Sequence, residues 1–167
     1  TVSGASTAAM ALPTVGDDAP NAKIEDADGK ALETKTLKGK PVLIVYEDKD
    51  ASTQNTALKK ELSELAKGDK YKSKVALAAV ADVSSYDFWP ARGFVKDAIR
   101  EESKKQGTTI YCDWTASFRK AFKLTKGKSS IVLVGKDGKV LFAGEGALSE
   151  ADRKKLVGLL KGQVEGA

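Results

Sequence analysis

The sequence has no histidine and a single cysteine, Cys112. These two shortages exclude histidine-based catalytic triads, the common zinc sites, CxxC redox pairs and any disulfide within the chain. Arginine is scarce too: of 28 basic residues only Arg92, Arg100, Arg119 and Arg153 carry a guanidinium. Phosphate and base recognition favour that forked group, whereas lysines interspersed with acids, as in Glu61, Lys67, Asp69, Lys70 and Lys72, keep a surface solvated. No nucleic-acid partner is therefore expected, despite a net charge of +5. Nor is there an apolar run of the roughly 18 residues that a membrane-spanning helix needs. The longest, Val75 to Ala81, has the length of a strand.

What is present suits one domain. The chain has 167 residues, 41% hydrophobic and 31% charged, which is ordinary globular composition. Residues 1–14 are small and polar and read as a linker, with residues 15–167 as a single domain. The start lacks both an initiator methionine and an apolar signal core, so the chain reads as a mature product or a fragment; a linker at such a start fits an exported protein, periplasmic or otherwise extracytoplasmic, from which a signal or anchor could have been removed.

Along the chain, Ala22 to Asp26 and Lys30 to Thr34 flank Asp28-Gly29 and predict a hairpin. Val42 to Tyr46 is apolar on both faces and predicts a central strand covered on both sides. Leu58, Leu62 and Leu65 mark a helix from about Ser52 to Ala66, with Gly68 stopping it; Val75 to Val83 is a second buried strand. A loop carrying Tyr86, Phe88, Trp89 and Pro90 leads to a helix from Ala91 to Lys105, its apolar face expected at Phe94, Val95, Ala98 and Ile99. Thr109 to Cys112 is a short strand, and Phe118, Ala121 and Phe122 mark a short helix. Ile131–Val134 and Val140–Phe142 enclose Asp137-Gly138 in a second hairpin. The last helix starts at an N-cap Ser149, buries Leu156, Leu159 and Leu160, and is expected to end at Gly162.

An antiparallel hairpin ending an otherwise wound α/β sheet resembles the thioredoxin fold: a central mixed sheet flanked by helices, here with an N-terminal β-hairpin. The resemblance is to the redoxin branch, the peroxiredoxins and TlpA-like reductases. It rests on Val15-Gly16-Asp17-Asp18-Ala19-Pro20, on Leu37-Lys38-Gly39-Lys40-Pro41 running into the central strand, and on Val134-Gly135-Lys136-Asp137-Gly138-Lys139-Val140. The ending Gly144-Glu145-Gly146-Ala147-Leu148-Ser149 and the insertion with Trp89-Pro90 are similar to the YtfJ-like bacterial proteins, exported thioredoxin-fold members without an established activity.

The resemblance implies a redox centre that this chain lacks. Asp50, Ala51, Ser52, Thr53 and Gln54 stand where a TlpA-like protein carries its CxxC, with Ala51 and Gln54 in the two sulfur positions. No cysteine in Glu47 to Ala51 serves a peroxiredoxin's chemistry, and the implied cis-proline position falls near Ser129. Two rival chemistries remain. Cys112 is the only thiol, although a lone cysteine is often a small buried hydrophobe, and Asp113 beside it is expected to raise its pKa. Asp48 and Asp50 imitate the paired acids of a magnesium-dependent phosphatase with Ser84 as helper, but no acidic motif follows a later parallel strand. The plainer reading of Glu47, Asp48 and Asp50 is favourable charge near a helix N-terminus, where Ser52, Thr53 and Gln54 could also hold an anion.

The sequence thus predicts a thioredoxin-like domain without cofactor or metal. Its expected partner is a protein, bound on the face built from Asp50 to Gln54, Ser129, Ser130 and the loop of Tyr86, Phe88 and Trp89. Most of the eight aromatics between Tyr86 and Phe122 are expected in the core.

Overall fold

Strands with apolar residues on both faces must be covered on both sides, and the chain meets that demand with one seven-stranded sheet between two helical layers. The computed structural model describes residues 12–166. Its strands are β1 (Lys23–Asp26), β2 (Ala31–Glu33), β3 (Val42–Glu47), β4 (Ala76–Asp82), β5 (Ile110–Asp113), β6 (Ser130–Val134) and β7 (Val140–Glu145). The helices are α1 (Thr56–Ala66), α2 (Asp69–Lys74), α3 (Ala91–Gln106), α4 (Ser117–Ala121) and α5 (Glu150–Glu165). Strand order is β2-β1-β5-β4-β3-β6-β7. β3, β4 and β5 are parallel, while β6, β7 and the N-terminal hairpin run antiparallel.

The period of two along each strand divides the core. Val42, Ile44, Tyr46, Val80 and Val132 face α4, where Phe118 stacks with Tyr46 at 5.5 Å and with Phe122, at the helix C-cap, at 4.4 Å. Leu43, Ile131 and Leu133 face α1 and α5 through Leu58, Leu156 and Leu160. On that same side Val95 and Ile99 of α3 pack on Val83, Cys112 and Trp114. The C-terminal ends of β3, β4 and β5 therefore share one edge with the start of β6 and the end of β7.

Several expectations need correction. Residues Ala51–Thr53 form a separate 3-10 turn, so the helix begins only at Thr56. Gly68 does not cap α1; it is extended and serves as the N-cap of α2, an element without an apolar period that is held by Tyr71, whose hydroxyl donates to Glu165. α5 passes through Gly162 to Glu165 because Val164 continues the buried series of Leu156 and Leu160. Phe94 and Ala98 lie on the exposed side of α3, leaving Val95 and Ile99 to pack. Of the expected linker, residues 1–11 lie outside the described residues. Leu12 packs on the core, and Gly16 N donates to Val140 O at 2.8 Å, so the chain follows β7 from there.

Candidate functional site

The place of the redoxin disulfide is filled by hydrogen-bonded side chains. Ala51, in the first sulfur's position, is fully buried, and its amide donates to Asp48 Oδ1 at 2.7 Å. Gln54, in the second, clamps the opposite loop: Ser129 N donates to its Oε1 at 2.9 Å, and its Nε2 donates to Gly127 O at 3.2 Å. Behind it the buried Asn55 donates to Ser129 Oγ at 2.8 Å and Gly146 O at 2.9 Å, and accepts from Leu148 N at 2.9 Å. Ser129 Oγ donates to Glu47 Oε2 at 2.6 Å, while Lys59 Nζ holds Glu47 Oε1 at 2.6 Å. Gly146 takes a left-handed φ of 72°, which lets its amide reach Ser129 O at 2.8 Å while its carbonyl serves Asn55.

This network joins the end of β3 and the start of α1 to the start of β6 and the end of β7, two parts of the chain more than 70 residues apart. Ser129 with a carboxylate and an amide at its hydroxyl superficially resembles an activated nucleophile. It is completely buried, so no substrate atom can approach its Oγ, and the arrangement is a plug. Ser130 is equally buried, and its Oγ has no partner among the described residues. Of the expected binding residues, Ala51, Ser129 and Ser130 therefore offer no surface, whereas Asp50, Ser52 and Thr53 are exposed.

A second buried polar group lies across the sheet. Tyr46 OH donates to Asp113 Oδ2 at 2.7 Å, and the amides of Phe118 and Arg119 also donate to Asp113, at 3.3 and 3.1 Å. Arg119 Nε lies 3.2 Å from Asp82 Oδ2, and Asp82 Oδ1 accepts from Ser84 N and Oγ at 3.1 and 2.7 Å. Burial first, then the bond to Asp113 and the charges of Asp113 and Asp82, drive the Tyr46 pKa far above its ordinary value, against a smaller opposing effect of Arg119. The sequence reading missed Asn55, Asp82 and Arg119. Asp82 and Asp113 did carry a signal, an acid closing each of two successive parallel strands, and their register pairs them directly.

From this base rises the aromatic loop. Asp82 anchors its first turn through Ser84, and Arg92 fastens its far side to Asp87 at 2.5 Å and Glu25 at 3.5 Å while its guanidinium lies 4.5 Å from the centre of the Trp114 ring. The expectation that most of these aromatics are core fails here. Trp89 is 90% exposed, Phe94 73%, Phe88 58% and Tyr86 40%, all within nine positions of the chain. Tyr111 is half-buried, and Trp114, Phe118 and Phe122 are buried.

Cys112 is buried against α3, and its thiol is pushed up to about 11, chiefly by burial and then by Asp26 and Glu25. Asp113 is not the cause, because alternation along β5 turns its side chain to the other face, toward Tyr46. We expect Ellman's reagent to leave Cys112 unmodified near neutral pH until guanidinium unfolds the protein; prompt reaction of the folded chain would contradict this. The acid pair imitating a phosphatase is also separated in role: Asp48 is bound to Ala51 N, Asp50 points to solvent, and Ser84 is committed to Asp82. No group of three metal-ligating side chains occurs among the described residues.

The mixed sheet, the crossovers to β4 and β5 and the closing hairpin define a thioredoxin-like domain, one whose single cysteine leaves it without the redoxin catalytic pair. The chain belongs to the family described as "Bacterial protein of unknown function (YtfJ_HI0045)", whose model matches residues 22–163. No curated protein matches it. Among solved structures it is similar to a candidate protein disulfide isomerase of Bacteroides thetaiotaomicron, with TM-score 0.66, 18% identity, and coverage of 93% of this chain and 95% of that one. It is also similar to a thiol peroxidase of Chromobacterium violaceum, with TM-score 0.63, 14% identity, and coverage of 90% and 87%. A peroxiredoxin-like protein of Aquifex aeolicus gives TM-score 0.63, 16% identity, and coverage of 92% and 89%. At these identities the likeness is one of fold.

Proposed function

We propose that this domain is a redox-silent member of the thioredoxin-like class that binds another protein, as an accessory subunit in the bacterial cell envelope. The observation that carries the reading is the exposed group Tyr86, Phe88, Trp89 and Phe94. Interface hot spots are enriched in tryptophan and tyrosine, and four large aromatic side chains left exposed within nine positions are uncommon without a partner. The base is rigid here because both ends of the loop are tied by Asp82 and Arg92. The plug supports the same reading from the other side, since it occupies the site at which redoxins turn over disulfides. The envelope location rests on the family resemblance described from the sequence.

Affinity capture from a native extract, with the wild-type chain beside Cys112→Ser and Trp89→Ala, tests the proposal. The expected result is a partner that Cys112→Ser retains and Trp89→Ala loses. A partner held only through Cys112 and released by reductant would replace the binding reading with thiol chemistry. Because Trp89 projects into solvent, Trp89→Ala is expected to change the unfolding free energy by less than about 0.5 kcal/mol, which denaturant titration checks. Loss of capture in that variant therefore reports the surface, not the fold.

A further inference from the structure

The ten residues from Arg119 to Lys128 include Arg119, Lys120, Lys123, Lys126 and Lys128 and no acid. Arg119 is turned inward to Asp82. The four lysines are exposed; Lys128 comes within 3.7 Å of Glu145, and among the described residues Lys120, Lys123 and Lys126 meet no carboxylate.

The backbone under them adds a separate observation. α4 closes with Lys123 N donating to Lys120 O at 3.2 Å and Leu124 N donating to Arg119 O at 2.9 Å, a turn that needs a left-handed residue at its corner. Lys123 takes that corner at φ 55°, where glycine is the residue of least strain. Leu124 is buried beside Phe118 and Phe122, so the loop is seated on the core and the lysines project from a fixed support. An ammonium is thus carried at a strained corner, in the middle of an unneutralised run.

The chemistry of the run selects its counterpart. Lysine is a compact, strongly hydrated point charge without the guanidinium fork, so it suits a fluid array of anions better than a shaped one. Within residues 119–128 the one aromatic, Phe122, is buried and is not available for insertion below such a surface. We propose that the loop Lys120–Lys128 rests on an anionic lipid surface, with its ammonium groups over headgroup phosphates and without insertion. The proposal goes beyond the protein-binding reading and does not depend on it.

Sedimentation of the full chain with vesicles tests it, comparing phosphatidylglycerol mixed into phosphatidylcholine with phosphatidylcholine alone. The expected result is binding only to the anionic vesicles, weakening as salt rises. Lys120→Gln/Lys123→Gln/Lys126→Gln is expected to weaken it roughly 100-fold, about fivefold per lysine. Lys154→Gln/Lys155→Gln, on α5 over the face of the sheet opposite to α4, is expected to change it less than about threefold. Lys123→Gly separates charge from fold: the thermal midpoint should rise by about 2 °C while vesicle binding drops about fivefold. Tryptophan emission should not shift on binding. The proposal is overturned by equal binding to neutral vesicles, by an α5 pair as damaging as the loop triple, by a blue shift that survives the loop triple, or by binding to polyglutamate without binding to vesicles.

Discussion

Replacing Asn55 by alanine is expected to lower the unfolding free energy by about 3 kcal/mol, seen as a lower denaturant midpoint at unchanged slope. Asn55 is buried and uses three of its hydrogen-bonding positions, on Ser129 Oγ, Gly146 O and Leu148 N. Truncation strands all three groups where water has little access, and each stranded group costs about 1–3 kcal/mol before relaxation. The cavity left by the lost amide adds to the loss. A change below about 1 kcal/mol would mean that solvent replaces Asn55 easily, so the former disulfide site would be an open pocket and not a plug. The segment Gly144 to Ser149 thereby acquires a physical role, because Gly146 and Leu148 within it are Asn55's backbone partners.

The second large effect is expected at Asp113. Asp113→Ala removes the acceptor of Tyr46 OH, Phe118 N and Arg119 N and should cost about 3–5 kcal/mol, the range for breaking a buried charged network. Tyr46→Phe, which deletes one hydroxyl, should cost only about 1–2 kcal/mol. The pair is distinguishable by pH. The Tyr46 pKa is raised in the folded chain, so the unfolded chain ionises first, near its ordinary value of about 10. Its contribution is fully present below that pH and declines above it, by about 1.4 kcal/mol per pH unit. Stability measured between neutral pH and strong alkali should therefore fall less steeply above pH ~10 in Tyr46→Phe than in wild type. Tyr71 and Tyr111, also shifted upward, keep a part of the decline in both proteins. An identical alkaline slope in the two would contradict the buried phenol–carboxylate bond.

Local signals in the sequence carried the fold well. Asp28-Gly29 and Asp137-Gly138 mark two turns whose glycines take φ of 86° and 83°. Ser149 was legible as a cap, and its Oγ accepts from Asp152 N at 3.1 Å. Elements without local periodicity were not legible. α2 consists of Asp69, Lys70, Tyr71, Lys72, Ser73 and Lys74, and it exists through contacts with α1 and α5. Gly162 reads as a stop because local propensity cannot register that Val164, two residues on, is buried in the fold.

The site was legible only as an absence. Ala51 and Gln54 in the sulfur positions could be read from order alone, whereas their replacement could not. Asn55 and Ser129 are 74 residues apart, and Glu47 and Ser129 are 82 apart, so no window of sequence contains either bond. The aromatic loop was recognised as a segment but misjudged in burial. Phe94 follows a helical apolar stripe that in fact splits, with Val95 and Ile99 facing Cys112 and Trp114 while Phe94 joins Trp89 in solvent.

The proposal that binding has moved from the old redox centre to the aromatic loop is tested most directly by calorimetric titration of the captured partner, purified, into the wild-type chain and into Trp89→Ala. The account predicts a loss of at least about 30-fold in affinity, the mark of an interface hot spot, with Cys112→Ser binding as wild type. Equal affinity for Trp89→Ala and wild type, or a loss confined to Cys112→Ser, would contradict it.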